Sequence, residues 1–174
     1  MPSPLGHALG GLAVHMLTSR DRRDAWHPAR ALAITAAALL PDIDFAFKLV
    51  DGRNHHQAES HSLGAAMLAG LLAALVALWR GAERPWRWGL VVGLGWASHV
   101  LLDYLGRDTH PPIGLLALWP FAEGYYKFPW PVFLDVGRTL DLTTLRHNAV
   151  AAAVEIAVLL PIAALLWRWR FREG

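Results

Sequence analysis

Residues 63–79 read LGAAMLAGLLAALVALW, a run of 17 residues without a charged side chain. A run of this length lies at the lower limit for a helix that crosses a bilayer. A second apolar run, AVAAAVEIAVLLPIAALLW at residues 149–167, is interrupted only by Glu155 and Pro161. These two stretches predict helices that lie in a membrane.

Three further apolar segments, at residues 5–18, 31–40 and 88–102, are also long enough for helices. We therefore predict an all-α, polytopic membrane bundle of about five helices that forms one domain over residues 1–174. Whether the helix at 5–18 crosses the whole bilayer is left open by its composition. The prolines and aromatic residues of segment 104–146 predict an irregular cap at the membrane interface. A soluble helical bundle is the alternative fold.

The composition narrows the classes of function. A mean hydropathy of +0.30 with 17% charged residues is too apolar for an ordinary soluble domain of this size. The absence of cysteine excludes disulfides, thiolate catalysis and zinc–thiolate sites. The arginines cluster between apolar runs, a pattern typical of membrane flanks rather than of a nucleic-acid surface. No Lys or Arg precedes Arg20, so we expect no secretory signal.

The basic residues also predict an orientation. Ten of the 16 Lys and Arg residues lie in segments 19–30, 80–87 and 168–174, whereas segments 45–62 and 103–147, together more than twice as long, contain six. The denser set is expected on the cytoplasmic side. Seven polar residues that suit metal binding then share the non-cytoplasmic side: His7, Asp42, Asp44, His56, His61, His99 and Asp103.

The spacing of these residues is compatible with a metal site. His99 and Asp103 are four residues apart, so a helix places both on one face. Asp42 and Asp44 directly follow Pro41, which is expected to disturb the helix before them. Such a pair either serves two ions or divides into one ligand and one supporting carboxylate.

His56 and His61 are too far apart for one helical turn, which places His56 in a loop. We expect His61 in the first turn of the next helix, with Ser60 as its N-cap. Histidine and aspartate ligands without thiolates suit zinc, manganese or iron, and seven such residues suffice for one or two ions. Taken alone, each pair also has an explanation without a metal: an exposed helix end, the end of a helix, or a buried hydrogen-bonded pair.

Glu155 is costly in lipid, so it should face the bundle interior, as a hydrogen-bond partner or a proton relay.

Four motifs carry a resemblance to a known family: MPSPLGHALGG, LPDIDF, H-x4-HSLGAA, and GWASHVLLDYLG followed by LWPF. Over about residues 1–125 the chain resembles the bacterial membrane-bound, metal-dependent hydrolases that include a LexA-regulated inner-membrane protein. The His/Asp pattern is also similar to that of zinc-dependent phospholipase C. The resemblance implies a multi-pass protein of the bacterial inner membrane, with all seven residues above as metal ligands. Gln57 stands where that family commonly has an arginine, so a phosphate-binding role at this position is in doubt.

The preferred hypothesis is a metal-dependent hydrolase that cleaves a phosphoester or ester bond in a lipid or lipid-linked substrate. A metal-activated water would attack, and Asp42 or Asp44 would accept its proton. Arg107 and Lys127 are candidate contacts for the anionic group of the substrate. Two alternatives remain open: a metal-ion or solute transporter that uses the same cluster, and a non-catalytic membrane protein with a structural metal.

Overall fold

The computed structural model describes residues 1–47, 50, 52 and 56–172, and this part of the chain is all-helical. Five α-helices lie where the apolar segments predicted them, and a sixth, α2, is a single turn in an arginine-rich segment. The two 3₁₀ helices are Leu40–Ala46 and Glu59–His61. The α-helices are α1 (Pro4–Thr18), α2 (Arg22–Ala25), α3 (Pro28–Leu39), α4 (Leu63–Trp79), α5 (Pro85–Tyr104) and α6 (Leu142–Arg170).

Local sequence signals set the helix boundaries. The hydroxyl of Ser62 accepts a hydrogen bond from the backbone N–H of Ala65 and so caps α4. The predictions that Ser60 caps this helix and that His61 lies in its first turn are therefore wrong, because both residues belong to the second 3₁₀ helix, which ends before α4 begins at Leu63. Pro41 acts as predicted: α3 ends at Leu39, and the chain continues as a 3₁₀ helix that carries both aspartates.

The helices pack as a bundle in which α1 contacts α3, α5 and α6, while α4 lies against α5. The backbones of α4 and α5 approach closely because Gly70 and Gly89, which have no side chains, lie where the two helices meet. A Cβ atom at Gly70 would stand 2.8 Å from the carbonyl oxygen of Gly89, and the reverse distance is 2.7 Å. Small residues allow helix backbones to approach in this way, as they do in membrane bundles.

Glu155 faces the interior of the bundle, as predicted. Its side chain is fully buried. One carboxylate oxygen accepts a hydrogen bond of 2.6 Å from the backbone N–H of Ser3, and the other accepts one from the Ser3 hydroxyl. The acid thus fastens the start of α1 to the middle of α6, which makes it a structural partner for the neighbouring helix.

Segment 105–141 is irregular and covers one end of the bundle, in agreement with the predicted cap. Isolated bridges join Gly106 to Phe133 and Leu115 to Tyr126. Backbone hydrogen bonds tie the segment to the loop before α4, from Leu116 N–H to the carbonyl of Gln57 (3.1 Å). The cap thereby holds the loop that carries two of the predicted ligands.

The three arginine-rich segments meet at the other end of the bundle. Arg22 donates a hydrogen bond of 3.1 Å to the carbonyl of Phe171, and Arg170 donates one of 3.1 Å to the carbonyl of Ser19. Helices α3 and α5 both begin at this end and run towards the predicted ligands. The twelve residues between Arg87 and His99 correspond to about 18 Å of α-helix.

Within the described residues, α6 is the one helix long and apolar enough to cross a membrane. It has 29 residues, and only 22% of its apolar window is buried. The buried positions form one stripe, Ala151, Glu155, Leu159 and Ala163, and most of the other side chains are apolar and accessible. Helix α4 has 17 residues, or about 26 Å, against about 30 Å of hydrocarbon. The predicted helices are therefore present, but among the described helices α6 alone combines the length and the apolar composition of a full span.

Candidate metal centre

The structure brings all seven predicted ligands into one cluster. Helix α1 contributes His7, the first 3₁₀ helix contributes Asp42 and Asp44, and α5 contributes His99 and Asp103. The loop and second 3₁₀ helix before α4 contribute His56 and His61. Six of the seven residues are at most 3% exposed, and the exception is Asp42, whose side chain is 24% exposed.

Three atoms of this cluster lie at the spacing of metal ligands, and an oxygen of Asp42 lies close to them. The Nε2 atoms of His61 and His99 are 3.0 Å apart, and the Oδ2 atom of Asp103 lies 3.0 Å from the second and 3.4 Å from the first. The Oδ1 atom of Asp42 lies 3.5 and 3.6 Å from the same two nitrogens. Two ligand atoms of a tetrahedral zinc ion stand about 3.3 Å apart, since each lies about 2.0–2.1 Å from the metal.

The orientation of His99 is set by a backbone carbonyl. Its Nδ1 atom is 2.8 Å from the carbonyl oxygen of Ala38, so Nδ1 donates to that oxygen. In a neutral ring the Nε2 atom is then the unprotonated nitrogen, and its lone pair points into the cluster. This is the state in which histidine binds a metal, and the hydrogen bond from the other nitrogen is typical of metal sites.

Asp44 occupies a supporting position behind the cluster. Its two oxygens accept hydrogen bonds from Ser60 Oγ (2.8 Å), His61 Nδ1 (3.0 Å) and His56 Nδ1 (3.0 Å). Burial raises the pKa of this carboxyl, but the hydrogen bonds from the two histidines outweigh burial and hold the pKa well below its usual range. A carboxylate that holds a histidine by its far nitrogen is a common feature of metal centres.

His61 is held between three carboxylates. Burial of the imidazole opposes its protonation, but hydrogen bonds to Asp42 and Asp44 and the charge of Asp103 raise the pKa of His61 to about 9. Without a metal, the ring is therefore a cation at neutral pH. Its Nε2 then donates a hydrogen bond to His99 Nε2 (3.0 Å), and a metal held by these two histidines would replace that proton.

The surroundings of Asp103 fit a cation. Both carboxylate oxygens are buried, and neither meets the geometry of a hydrogen bond with a described residue. Instead, imidazole nitrogens surround the group, and His7 Nε2 lies 3.4 Å from Oδ1. A buried carboxylate without donors is costly, and a metal ion would compensate it.

Two separate sets of three residues have ligand atoms within 4.8 Å of one another: His7, His99 and Asp103, and Asp42, His56 and His61. The ring of His7 also stacks on that of His99, with centroids 3.7 Å apart. The donor set thus suits one ion at the shared centre or two ions, one in each set. Its nitrogen and oxygen chemistry is that of zinc, manganese or iron sites.

A cavity of about 300 Å³ opens beside the cluster and is bordered by the cap. Asp42 is the one member of the cluster among its lining residues, which also include Phe45, Asp108, His110, Asp135 and Arg138. The guanidinium of Arg138 lies 5.0 Å from the centre of the Phe45 ring, which in turn stacks on His56 at 3.8 Å. Arg107 and Lys127, the cations that the sequence suggested, do not line this cavity.

Gln57 supports the wall of the cavity rather than the cluster. Its side chain is buried and donates a hydrogen bond of 3.0 Å to Asp108 Oδ2, and its backbone has a positive φ of 68°. Asp108 also accepts hydrogen bonds from the backbone N–H groups of His110 and Gly114. Gln57 therefore joins the loop before α4 to the cap.

Comparison with known proteins agrees with the membrane character of the chain. A family model described as "YdjM inner membrane protein" matches residues 1–173. Neither a curated protein nor a solved structure matches the chain. The resemblance to a bacterial inner-membrane family, based on the four motifs, is thus confirmed, and the chain belongs to the YdjM inner membrane protein family.

Proposed function

We propose that this protein is a metal-dependent hydrolase of the inner membrane that cleaves a phosphoester or ester bond in a lipid or lipid-linked substrate. The observation that carries the proposal is the tight group formed by His61, His99 and Asp103, with Asp42 on the side of the cavity. Three protein ligands with the fourth position on the accessible side are typical of catalytic rather than structural metal sites.

The two aspartates have different roles in this proposal. Asp42 borders the cavity and is partly exposed, so it is placed to accept the proton of an attacking water. Asp44 is buried and already accepts three hydrogen bonds, so it positions His61 and His56. When bound, a divalent ion would lower the pKa of water and polarise the oxygen of the scissile group. Arg138 provides a positive charge at the cavity for an anionic group of the substrate.

Substitution of the buried Asp103 and of the partly exposed Asp42 tests the proposal. We expect Asp103→Asn to remove the bound metal and Asp42→Asn to retain it while hydrolysis falls at least about 100-fold, the usual contribution of a general base. The control is Glu123→Gln, which removes an exposed acid away from the cluster. Metal content of detergent-purified protein and hydrolysis of chromogenic phosphodiesters and esters are measured on all variants.

The same experiment separates an enzyme from a structural metal site. If Asp42→Asn loses the metal as completely as Asp103→Asn, Asp42 is a fourth ligand that closes the coordination sphere. The enzymatic proposal would then be wrong, since a closed sphere has no position for water. Turnover by the wild-type protein that is unaffected by a chelator would equally exclude metal chemistry.

We further propose that several helices of the bundle lie in the membrane and that the cluster faces the non-cytoplasmic side. Support comes from the separation of the arginine-rich end from the cluster, because basic segments favour the cytoplasm. The chain has no cysteine, so single cysteines are clean reporters. In intact cells, Thr109→Cys on the cap should react with an impermeant maleimide, whereas Arg23→Cys at the opposite end should not. The reverse labelling pattern would refute the orientation.

A further inference from the structure

A second cavity, of about 320 Å³, lies at the arginine-rich end of the bundle. Four arginines and two acids line it, so its lining carries a net positive charge of two. These residues are Arg20, Arg30, Arg84, Arg87, Asp24 and Glu83. Because α5 runs about 18 Å from Arg87 to His99, this cavity is separate from the metal centre.

One wall of the cavity is a fixed network. Asp24 accepts hydrogen bonds from Arg30 (2.6 Å) and from the backbone N–H of Arg20 (3.0 Å). Arg30 also donates to the hydroxyl of Ser19 (3.2 Å) and to the carbonyl of Thr18 (2.9 Å). Asp24 and Arg30 therefore satisfy each other, and they form a rigid, partly buried surface.

The opposite wall contributes positive charge that this network does not neutralise. The side chains of Arg84 and Arg87 make no salt bridge with any residue in the described ranges. Arg84 is the N-cap residue of α5 and Arg87 lies in its first turn, and no side chain caps this N-terminus. The positive end of the α5 dipole adds to the two guanidinium groups there.

The exposed aromatic residues at this end of the bundle point to the ligand. Trp26, Trp79 and Trp86, at the same end of the bundle, are 74%, 83% and 61% exposed. Exposed tryptophans beside clustered arginines are typical of the headgroup level of a bilayer. Basic pockets between membrane helices at this level bind anionic headgroups.

We propose that this cavity binds the phosphate of an anionic glycerophospholipid, with Arg84 and Arg87 as its principal contacts. Arg20 and Arg30, held by Asp24, would form the back of the site, and Trp88 would border the glycerol region. The site is independent of the hydrolase activity, and it would fix the depth and tilt of the bundle in the membrane.

Lipid retention by the full-length protein tests the proposal. Protein in detergent is mixed with phosphatidylglycerol, with phosphatidylcholine of the same acyl chains, or with inorganic phosphate, and bound species are counted by native mass spectrometry. We expect preferential retention of phosphatidylglycerol. The variant Arg84→Gln with Arg87→Gln should weaken it roughly 25-fold, since each arginine near an anionic headgroup contributes roughly fivefold.

The matched control is Arg23→Gln with Arg80→Gln. It removes the same charge from exposed arginines in the same two segments, but neither residue lines the cavity. Phosphatidylglycerol binding should remain within about twofold of the wild-type value in this control. Equal losses in the two double variants would overturn the site, because the effect would then be one of net charge. Retention of inorganic phosphate with no preference between the two lipids would overturn the lipid assignment.

Discussion

The affinity of the cluster for a divalent metal should depend steeply on pH, because a proton and the metal compete for the Nε2 atom of His61. In the metal-free protein, His61 carries a proton, since its pKa is raised to about 9. That proton must leave before Nε2 binds a metal. Raising the pH therefore favours the metal-bound form.

The size of the effect follows from the pKa of His61. Below about pH 9, release of one proton per metal makes the affinity rise about tenfold per pH unit. Between about pH 6.5 and about pH 8.5 the dissociation constant should fall roughly 100-fold. Calorimetric titration of zinc in two buffers with different ionisation enthalpies measures both the affinity and the number of protons released.

Asp44→Asn provides the control for this reasoning. It removes the charge that holds His61 Nδ1, so the pKa of His61 should fall towards its ordinary value of 6.5. The dependence of affinity on pH should then flatten above about pH 7, although the metal binds more weakly because the ring is less well oriented. An affinity for zinc that is constant from about pH 6.5 to about pH 8.5 in the wild-type protein would refute the reasoning.

Three further outcomes are expected. Glu155→Gln replaces one of the two buried oxygens that accept hydrogen bonds from Ser3 with an NH2 donor, so the free energy of unfolding in detergent should fall by about 1–3 kcal/mol, and an unchanged melting temperature would contradict this. Gly64→Ala directs a Cβ atom into the carbonyl of Trp119 and to 2.6 Å from the Pro120 ring, which should lower the melting temperature, whereas Gly93→Ala, with its nearest atom at 3.2 Å, should be better tolerated. In the metal-free protein, the stabilisation that protonated His61 provides is complete below about pH 6.5 and is lost as the pH rises through about 9, so chelator-treated protein should melt progressively lower over that range while metal-loaded protein should not.

The helices could be predicted from the sequence because hydrophobic runs and their breakers are local signals. The run at 63–79 coincides with α4, and Pro41 marks the change from α-helix to 3₁₀ helix. Ser60 was misassigned because two serines flank His61, and either can cap a helix. Only the fold shows that Ser62 lies at the helix start and that Ser60 reaches Asp44. The number of full spans stays a prediction: α6 alone among the described helices combines the length and the apolar composition of a span, and α1 and α3 have 15 and 12 residues.

The sequence predicted which residues form the candidate site but not the role of each. All seven are polar residues at the same end of several apolar helices, and this pattern predicted that they lie together. The role of each residue depends on distances in the folded structure, which the spacing of residues along the sequence does not give. Asp42 and Asp44 lie in the same sequence motif, yet Asp42 borders the cavity and Asp44 is buried. Arg138 was missed because it lies in the irregular cap, about 90 residues from the nearest aspartate of the LPDIDF motif, without a periodic pattern to relate it to Phe45.

The charge balance of the cluster explains why a metal would be part of the fold itself. Asp42, Asp44 and Asp103 bring three negative charges at neutral pH, and protonated His61 brings one positive charge. Without a metal, these three aspartates and His61 together carry an excess of two negative charges in a largely buried space, which is costly. Binding of one divalent ion with loss of the His61 proton would reduce that excess to one beside Asp103, whose buried oxygens have no well-oriented hydrogen bond from a described residue. With His61, His99 and Asp103 as its ligands, the ion would join α5 to the second 3₁₀ helix, so metal binding and assembly of this end of the bundle should be a single cooperative process.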